Sequence, residues 1–203
     1  MSELFKILSL KNFYLINKNE ELKNIFSIIF PELKYISRLE KLNLMPSEFQ
    51  LNKLQILSVL LIENSNNIEY FCHKYNVSND FKNGLSEIFK SYEHFLEDKD
   101  FFKSKIKKNI YYFGKNNLKE LNLLIFFMSS KVNYEEDFLE NSKKIEKISI
   151  PKFPYDGAYF LKKGLSEGKK LGEALAELEK DWIENNFSIK DKDVTKIIDK
   201  YKA

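Results

Sequence analysis

Apolar residues recur at steps of three and four through almost the whole of this chain, and no run of alternating β-branched residues interrupts them. A period near 3.6 gathers such residues on one face of a helix, whereas a half-buried strand needs a period of 2. The pattern predicts an all-α chain of about ten short helices, with no sheet. In "NEELKNIFSIIF", Asn19 is the expected N-cap and Glu20 and Glu21 suit the positive end of the helix dipole. Leu22, Ile25, Phe26 and Ile29 follow at helical spacing. Pro31 ends that helix and opens the next, "PELKYISRLEKL". "FQLNKLQILSVLLI" reads as a buried helix, Ser65 is a candidate cap for "NNIEYFCHKY", and Ser78 or Asn79 is a candidate cap for a longer helix running to about Leu96. "KDFFKSKIKKNIYYFG", "LKELNLLIFFMSS" and "YEEDFLENSKKIEKI" follow, with Gly114 where a helix end wants a left-handed residue.

"SIPKFP", with Pro151 and Pro154, breaks helix and marks a boundary. A helical body is expected over residues 1–148 and a smaller helical tail over residues 149–203. The tail carries a short helix near Tyr155–Lys163, a long one from about Lys169 to Asn186 and a last one near Asp191–Lys202. The total of 203 residues suits one large domain or two small ones.

Charge alone does not argue for a nucleic-acid partner, because the net charge is only +3. The basic residues are almost all lysine, with Arg38 the single arginine. Lysine binds phosphate as a point charge and lacks arginine's planar fork. Any RNA contact is therefore expected to be backbone-directed and salt-sensitive. Cys72 is alone, which excludes an internal disulfide and a cysteine-rich zinc site. No stretch approaches the roughly 20 apolar residues that span a bilayer, so a cytoplasmic chain without a membrane partner is expected.

Four of the six glycines lie between Phe153 and Phe187, together with the only tryptophan and a dense set of lysines. Gly164, Gly168 and Gly172 match neither the dinucleotide fingerprint nor the phosphate-loop pattern. Two readings stay open for them. One is structural: a helix C-cap at Gly164, a turn at Gly168 and a close helix approach at Gly172. The other is a helix start flanked by Lys169 and Lys170 that receives a phosphate on its free N–H groups. Leu171, Leu175, Leu178 and Trp182 read as a core stripe. Lys162, Lys163, Lys169 and Lys170 bracket the turn, and Lys103, Lys105, Lys107 and Lys108 form a second cluster; a solvated charged face is the ordinary meaning of both. His73 and His94 have no acidic partner at metal-ligand spacing, and the pairs Glu135/Glu136 and Asp98/Asp100 read as helix N-terminal charges. No catalytic residue and no metal site is assigned.

Phe153-Pro154, Gly157, Leu161, Gly164, Gly168, Leu171-Gly172, Leu175 and Trp182-Ile183-Glu184-Asn185 together resemble the C-terminal region of bacterial tRNA nucleotidyltransferases, the CCA-adding enzymes and their poly(A) polymerase relatives. "IFPELKYISRLEKL" and "HKYNVSNDFKNGL" look like segments of that family's body, so the similarity covers most of the chain. The chain departs from the family at Ala158 and Tyr159, where a basic residue and an Asp are usual, and at "LSEG", which replaces a Pro-rich turn. No Gly-Ser or Gly-Gly turn followed by an Asp-x-Asp pair occurs, and "MSELFKIL" looks like the later half of a neck helix.

The resemblance implies a body and tail that hold the acceptor and T-arm side of tRNA by shape and backbone charge. The RNA-contact candidates are Lys152, Tyr159, Lys162, Lys163, Lys169 and Lys170. It further implies that Mg²⁺ and the catalytic carboxylates belong to an N-terminal head absent from this chain, missing or separately encoded. A stand-alone helical protein–protein interaction module without RNA binding is the alternative.

Overall fold

The computed structural model describes residues 2–8, 10, 13–46, 49–130 and 134–202. Every regular element among these residues is helical, and no strand occurs among them. In chain order they are α1 (Ser2–Leu8), a 3-10 helix (Phe13–Lys18), α2 (Glu20–Ile29), a second 3-10 helix (Ile36–Leu44), α3 (Lys53–Leu61), α4 (Ser65–Lys74), α5 (Asn79–Glu97), α6 (Ile106–Phe113), α7 (Lys115–Met128), α8 (Tyr134–Lys147), α9 (Gly157–Lys162), α10 (Lys169–Glu184) and α11 (Asp191–Lys202). They divide into two compact units, Met1–Ile148 and Ser149–Ala203.

Helix starts are written locally. The Asn19 side chain accepts from Leu22 N–H at 3.0 Å. Asn52 and Gln55 form a reciprocal capping box at the start of α3, which satisfies two otherwise orphan donors. The cap of α4 is Asn64, whose side chain accepts from Asn67 N–H at 3.1 Å; Ser65, the candidate from sequence, is already inside the helix.

The first unit is built around two helices that are apolar on nearly all sides. In α3 every residue from Ile56 to Leu61 is buried, and in α7 every residue from Leu121 to Phe127. A helix apolar all round belongs in the interior of a bundle. The buried Asn122 is bonded: its Nδ2 donates to Phe138 O and Ser142 Oγ, each at 3.0 Å, tying α7 to α8. Gly84 lets α5 approach α3, since a Cβ there would lie 3.0 Å from Leu54 Cδ2.

One expectation changes. Pro31 does not open an α-helix; Pro31 and Glu32 form a turn, and a 3-10 helix follows only from Ile36. Its inward residues Ile36, Leu39 and Leu42 repeat every three residues, the 3-10 period. Two cations anchor it. Arg38 Nη1 donates to Val59 O at 2.9 Å and Ile62 O at 3.1 Å, at the C-terminal end of α3, with its guanidinium 3.6 Å from the Tyr35 ring centroid. Lys41 Nζ donates to the carbonyls of Phe126 and Ser129 at the end of α7. Burial pushes the pKa of both cations down. In α2 the apolar stripe is turned outward: only Phe26 is buried, while Leu22, Ile25 and Ile29 face solvent.

The second unit is a three-helix cluster around Phe160, Leu165, Ala174, Leu178, Val194, Ile197 and Ile198, all buried. Asp156 caps α9, accepting from Tyr159 N–H at 2.9 Å. Gly164 ends α9 with φ 93°. Leu165 N–H donates to Phe160 O at 3.1 Å and Gly164 N–H to Leu161 O at 2.9 Å, the paired bonds of a Schellman motif. The end of α10 repeats the device with Asn186 in the glycine position at φ 56°. There Phe187 N–H donates to Trp182 O at 2.8 Å, and the Phe187 ring packs on Trp182 at 4.9 Å. Lys200 and Tyr201 of α11 both bond Glu177 of α10, at 2.6 and 2.8 Å. Those bonds hold the Glu177 carboxyl below its ordinary pKa.

Candidate nucleic-acid interface

The last turn of α9, residues 163–168 and the first turn of α10 form one corner of the second unit, mostly exposed around the buried Leu165. Lys162, Lys163, Lys169 and Lys170 all project from it into solvent. Lys169 is 91% exposed and makes only a loose 3.6 Å pair with Glu173. The Lys163 ammonium lies 5.7 Å from the Tyr159 ring centroid. Gly168 is the N-cap of α10 at φ 131°, a conformation that favours glycine, and offers no side chain to the N–H groups of the first turn. No acidic residue stands in that turn, whereas α2, α8 and α11 all begin with carboxylates.

The glycines separate into two kinds. Gly164 is explained by the Schellman motif. Gly172 is not a site of close helix approach: a Cβ built there, or on Gly168, would meet nothing within 4 Å.

The other two candidates lie differently. Tyr159 is half-buried, its ring against Tyr155 at 4.9 Å and Phe160 at 5.9 Å, at the edge of the unit's core. Lys152 is exposed and precedes Phe153, whose ring packs on Trp182 at 5.3 Å. Trp182 is 13 residues along α10 from Lys169, or about 20 Å at 1.5 Å per residue. Lys152 therefore stands toward the far end of α10 from the corner. Trp182 is buried, as the stripe predicts.

In the first unit, Asp98 and Asp100 follow α5 instead of opening a helix. Asp98 accepts from Asp100 N–H at 3.0 Å and pairs with Lys105 at 2.9 Å. His94 packs on Phe113 at 5.2 Å. Cys72 is buried, and burial pushes its thiol up, away from the reactive thiolate. No group of three His, Cys, Asp or Glu able to hold a metal ion occurs among the described residues. No helix among them is long and apolar enough to cross a membrane. A shallow cleft lined by Pro31, Glu32, Lys34, Asn67 and Tyr70 encloses about 240 Å³, below the roughly 300 Å³ at which small-molecule sites begin. The sequence carried no signal for the roles of Arg38 and Lys41, because their partners are distant carbonyls. Nor did it signal Glu120, whose Oε1 accepts from Gln55 at 3.2 Å while the buried Oε2 has no partner. Burial raises its pKa.

No protein-family model matches the chain, and no curated protein matches it in sequence.

Proposed function

We propose that this chain is the tRNA-binding body and tail of a CCA-adding or poly(A)-adding nucleotidyltransferase, and that it positions the acceptor end for a catalytic head outside this chain. The observation that carries the reading is the chemistry of the α9–α10 corner. Lys169 and Lys170 sit at the positive end of a helix dipole, where a cation is disfavoured by about 0.3–1 kcal/mol. Gly168 answers to its φ of 131°, whereas Gly172 forgoes a Cβ where nothing would touch one. Neither choice stabilises the tail. Both suit a polyanion that comes close to the backbone, with free N–H groups and four ammonium groups to receive it. The resemblance of residues 153–187 to the nucleotidyltransferase tail supports tRNA as that polyanion. Lysine contacts to duplex phosphate fit recognition by shape and charge without base reading. Lys152 and Tyr159 extend the surface as secondary contacts. Nucleotide transfer is assigned to the head, and no residue of this chain is given a catalytic role.

Changing Lys162, Lys163, Lys169 and Lys170 together to Gln tests the reading by tRNA anisotropy over a salt series. Affinity should fall, and the slope of log K against log salt should flatten by about 3, at roughly 0.7–0.9 per phosphate contact. The fold should be unchanged, and the Lys103, Lys105, Lys107 and Lys108 set should matter less. Unchanged affinity and slope in the tail variant would remove these lysines from any RNA contact. Incubated with Mg²⁺, CTP, ATP and a tRNA lacking its 3′ end, the purified chain should leave the tRNA unextended; extension would overturn the assignment of chemistry to a separate head. The exposed aliphatic face of α2 favours a second reading, a helical protein-interaction module. In that case tRNA binding would be absent at every salt concentration.

A further inference from the structure

Helix α2 turns its large aliphatic side chains to solvent. Leu22 (52% exposed), Ile25 (52%), Ile28 (79%) and Ile29 (55%) line its open side, and the buried Phe26 lies beside the Leu22 edge of it. At 100° per residue the four cover a continuous arc of about 120° centred near Ile25. The charged groups largely keep clear of it. Glu20 and Lys23 pair with each other at 3.5 Å, Ser27 Oγ is spent on Lys23 O at 2.9 Å, and Glu21 alone enters the arc, at its N-terminal end.

We propose that this face is a self-association surface, on which α2 of one protomer packs antiparallel against α2 of a second copy across a twofold axis. The stripe is self-complementary. Leu22 and Ile29 flank Ile25 at three and four residues. A twofold axis perpendicular to the plane of the paired helices therefore sets Leu22 against the partner's Ile29 and Ile25 against the partner's Ile25. Leucine and isoleucine are isomers, so the opposed volumes match, and the antiparallel helix dipoles are opposed favourably. The size is also suitable. The four side chains leave roughly 400 Å² of apolar surface open, comparable to the largest patch on a typical monomer. Doubled across the axis and widened by a rim of Glu21 and Asn24, the contact reaches about 1,000 Å², where specific interfaces begin. An interface at this lower bound of size predicts a weak, concentration-dependent dimer. The arc holds no cation, so it does not suit the phosphates proposed for the other unit, and this inference stands independently of the tRNA reading.

Sedimentation velocity of the full chain, from sub-micromolar to hundreds of micromolar, reads the equilibrium. The wild type should pass from monomer to dimer. The Ile25→Glu/Ile28→Glu variant should remain monomeric throughout while melting no lower than the wild type, since both positions face solvent. In a Cys72→Ser background, Ile25→Cys should cross-link across the axis under oxidation, and Ser27→Cys, outside the arc, should not. A wild type that stays monomeric over the whole range would overturn the proposal. So would a dimer that survives the two glutamates, or one linked through Ser27→Cys and not through Ile25→Cys.

Discussion

Replacing Gly172 by alanine separates a glycine kept for packing from one kept for a ligand. Gly172 lies in α10, its N–H bonded to Gly168 O at 3.4 Å, and an added Cβ would touch nothing within 4 Å. No steric term opposes the substitution, so the intrinsic preference acts alone. Alanine in a helix is favoured over glycine by about 0.8–1 kcal/mol, and by about half of that near a fraying first turn. Gly172→Ala should therefore stabilise the chain by about 0.5–1 kcal/mol, which for a unit of this size is a rise in melting temperature of roughly 3–6 °C. Differential scanning calorimetry measures that part. Gly84→Ala is the control, because its Cβ would press on Leu54 at 3.0 Å. Its balance should be less favourable than that at Gly172 by about 1 kcal/mol. Fluorescence anisotropy with tRNA measures the rest: the methyl group stands on the open surface among the lysines, so affinity should drop several-fold even as stability rises. A destabilised Gly172→Ala would refute the open geometry. A stabilised variant with unaltered tRNA affinity and salt slope would refute the idea that the corner keeps its glycine for a close backbone approach.

Trp182→Ala should cost about 3–5 kcal/mol, the range for deleting a buried large aromatic, with urea unfolding as the measurement; wild-type stability with lost RNA binding would make Trp182 a contact residue instead. Lys41→Met keeps the aliphatic stem but removes the two bonds at the end of α7, and should cost about 2 kcal/mol in the same assay, since bonds to a charged group are worth roughly 1.5–3 kcal/mol and this one is partly exposed. Glu120 is a case of pH linkage: burial raises its carboxyl above the ordinary 4.5, so the folded chain holds the proton more tightly than the unfolded one. Stability linked to Glu120 is therefore complete below that ordinary value and is lost as pH rises through the raised folded value. Glu120→Gln should melt above the wild type at about pH 8, with the gap closing toward about pH 5; a gap that does not change with pH would contradict this.

The sequence by itself determined whatever depends on neighbours within about a turn of chain. Helical spacing predicted the helices, Asn19 its cap and Gly164 its helix end. These are bonds and contacts across three to five residues, and the local sequence contains every participant. The corner lysines could be named as exposed for the same reason, since they flank a local turn. Tertiary structure decided the rest. Spacing made α2 amphipathic but could not say whether its stripe met a core or the solvent, because that depends on what other segments leave uncovered. Likewise, "PELKYISRLEKL" reads as α-helix by composition, yet Arg38 and Lys41 reach carbonyls 21 to 88 residues away and anchor a 3-10 helix instead. Gly172 and Gly84 look alike as letters, and only the neighbouring side chain at 3.0 Å distinguishes the packed glycine from the open one. A side chain's burial, and the partner of a long cation, are set by groups distant in sequence, and the position of those groups is fixed only once the whole unit has packed.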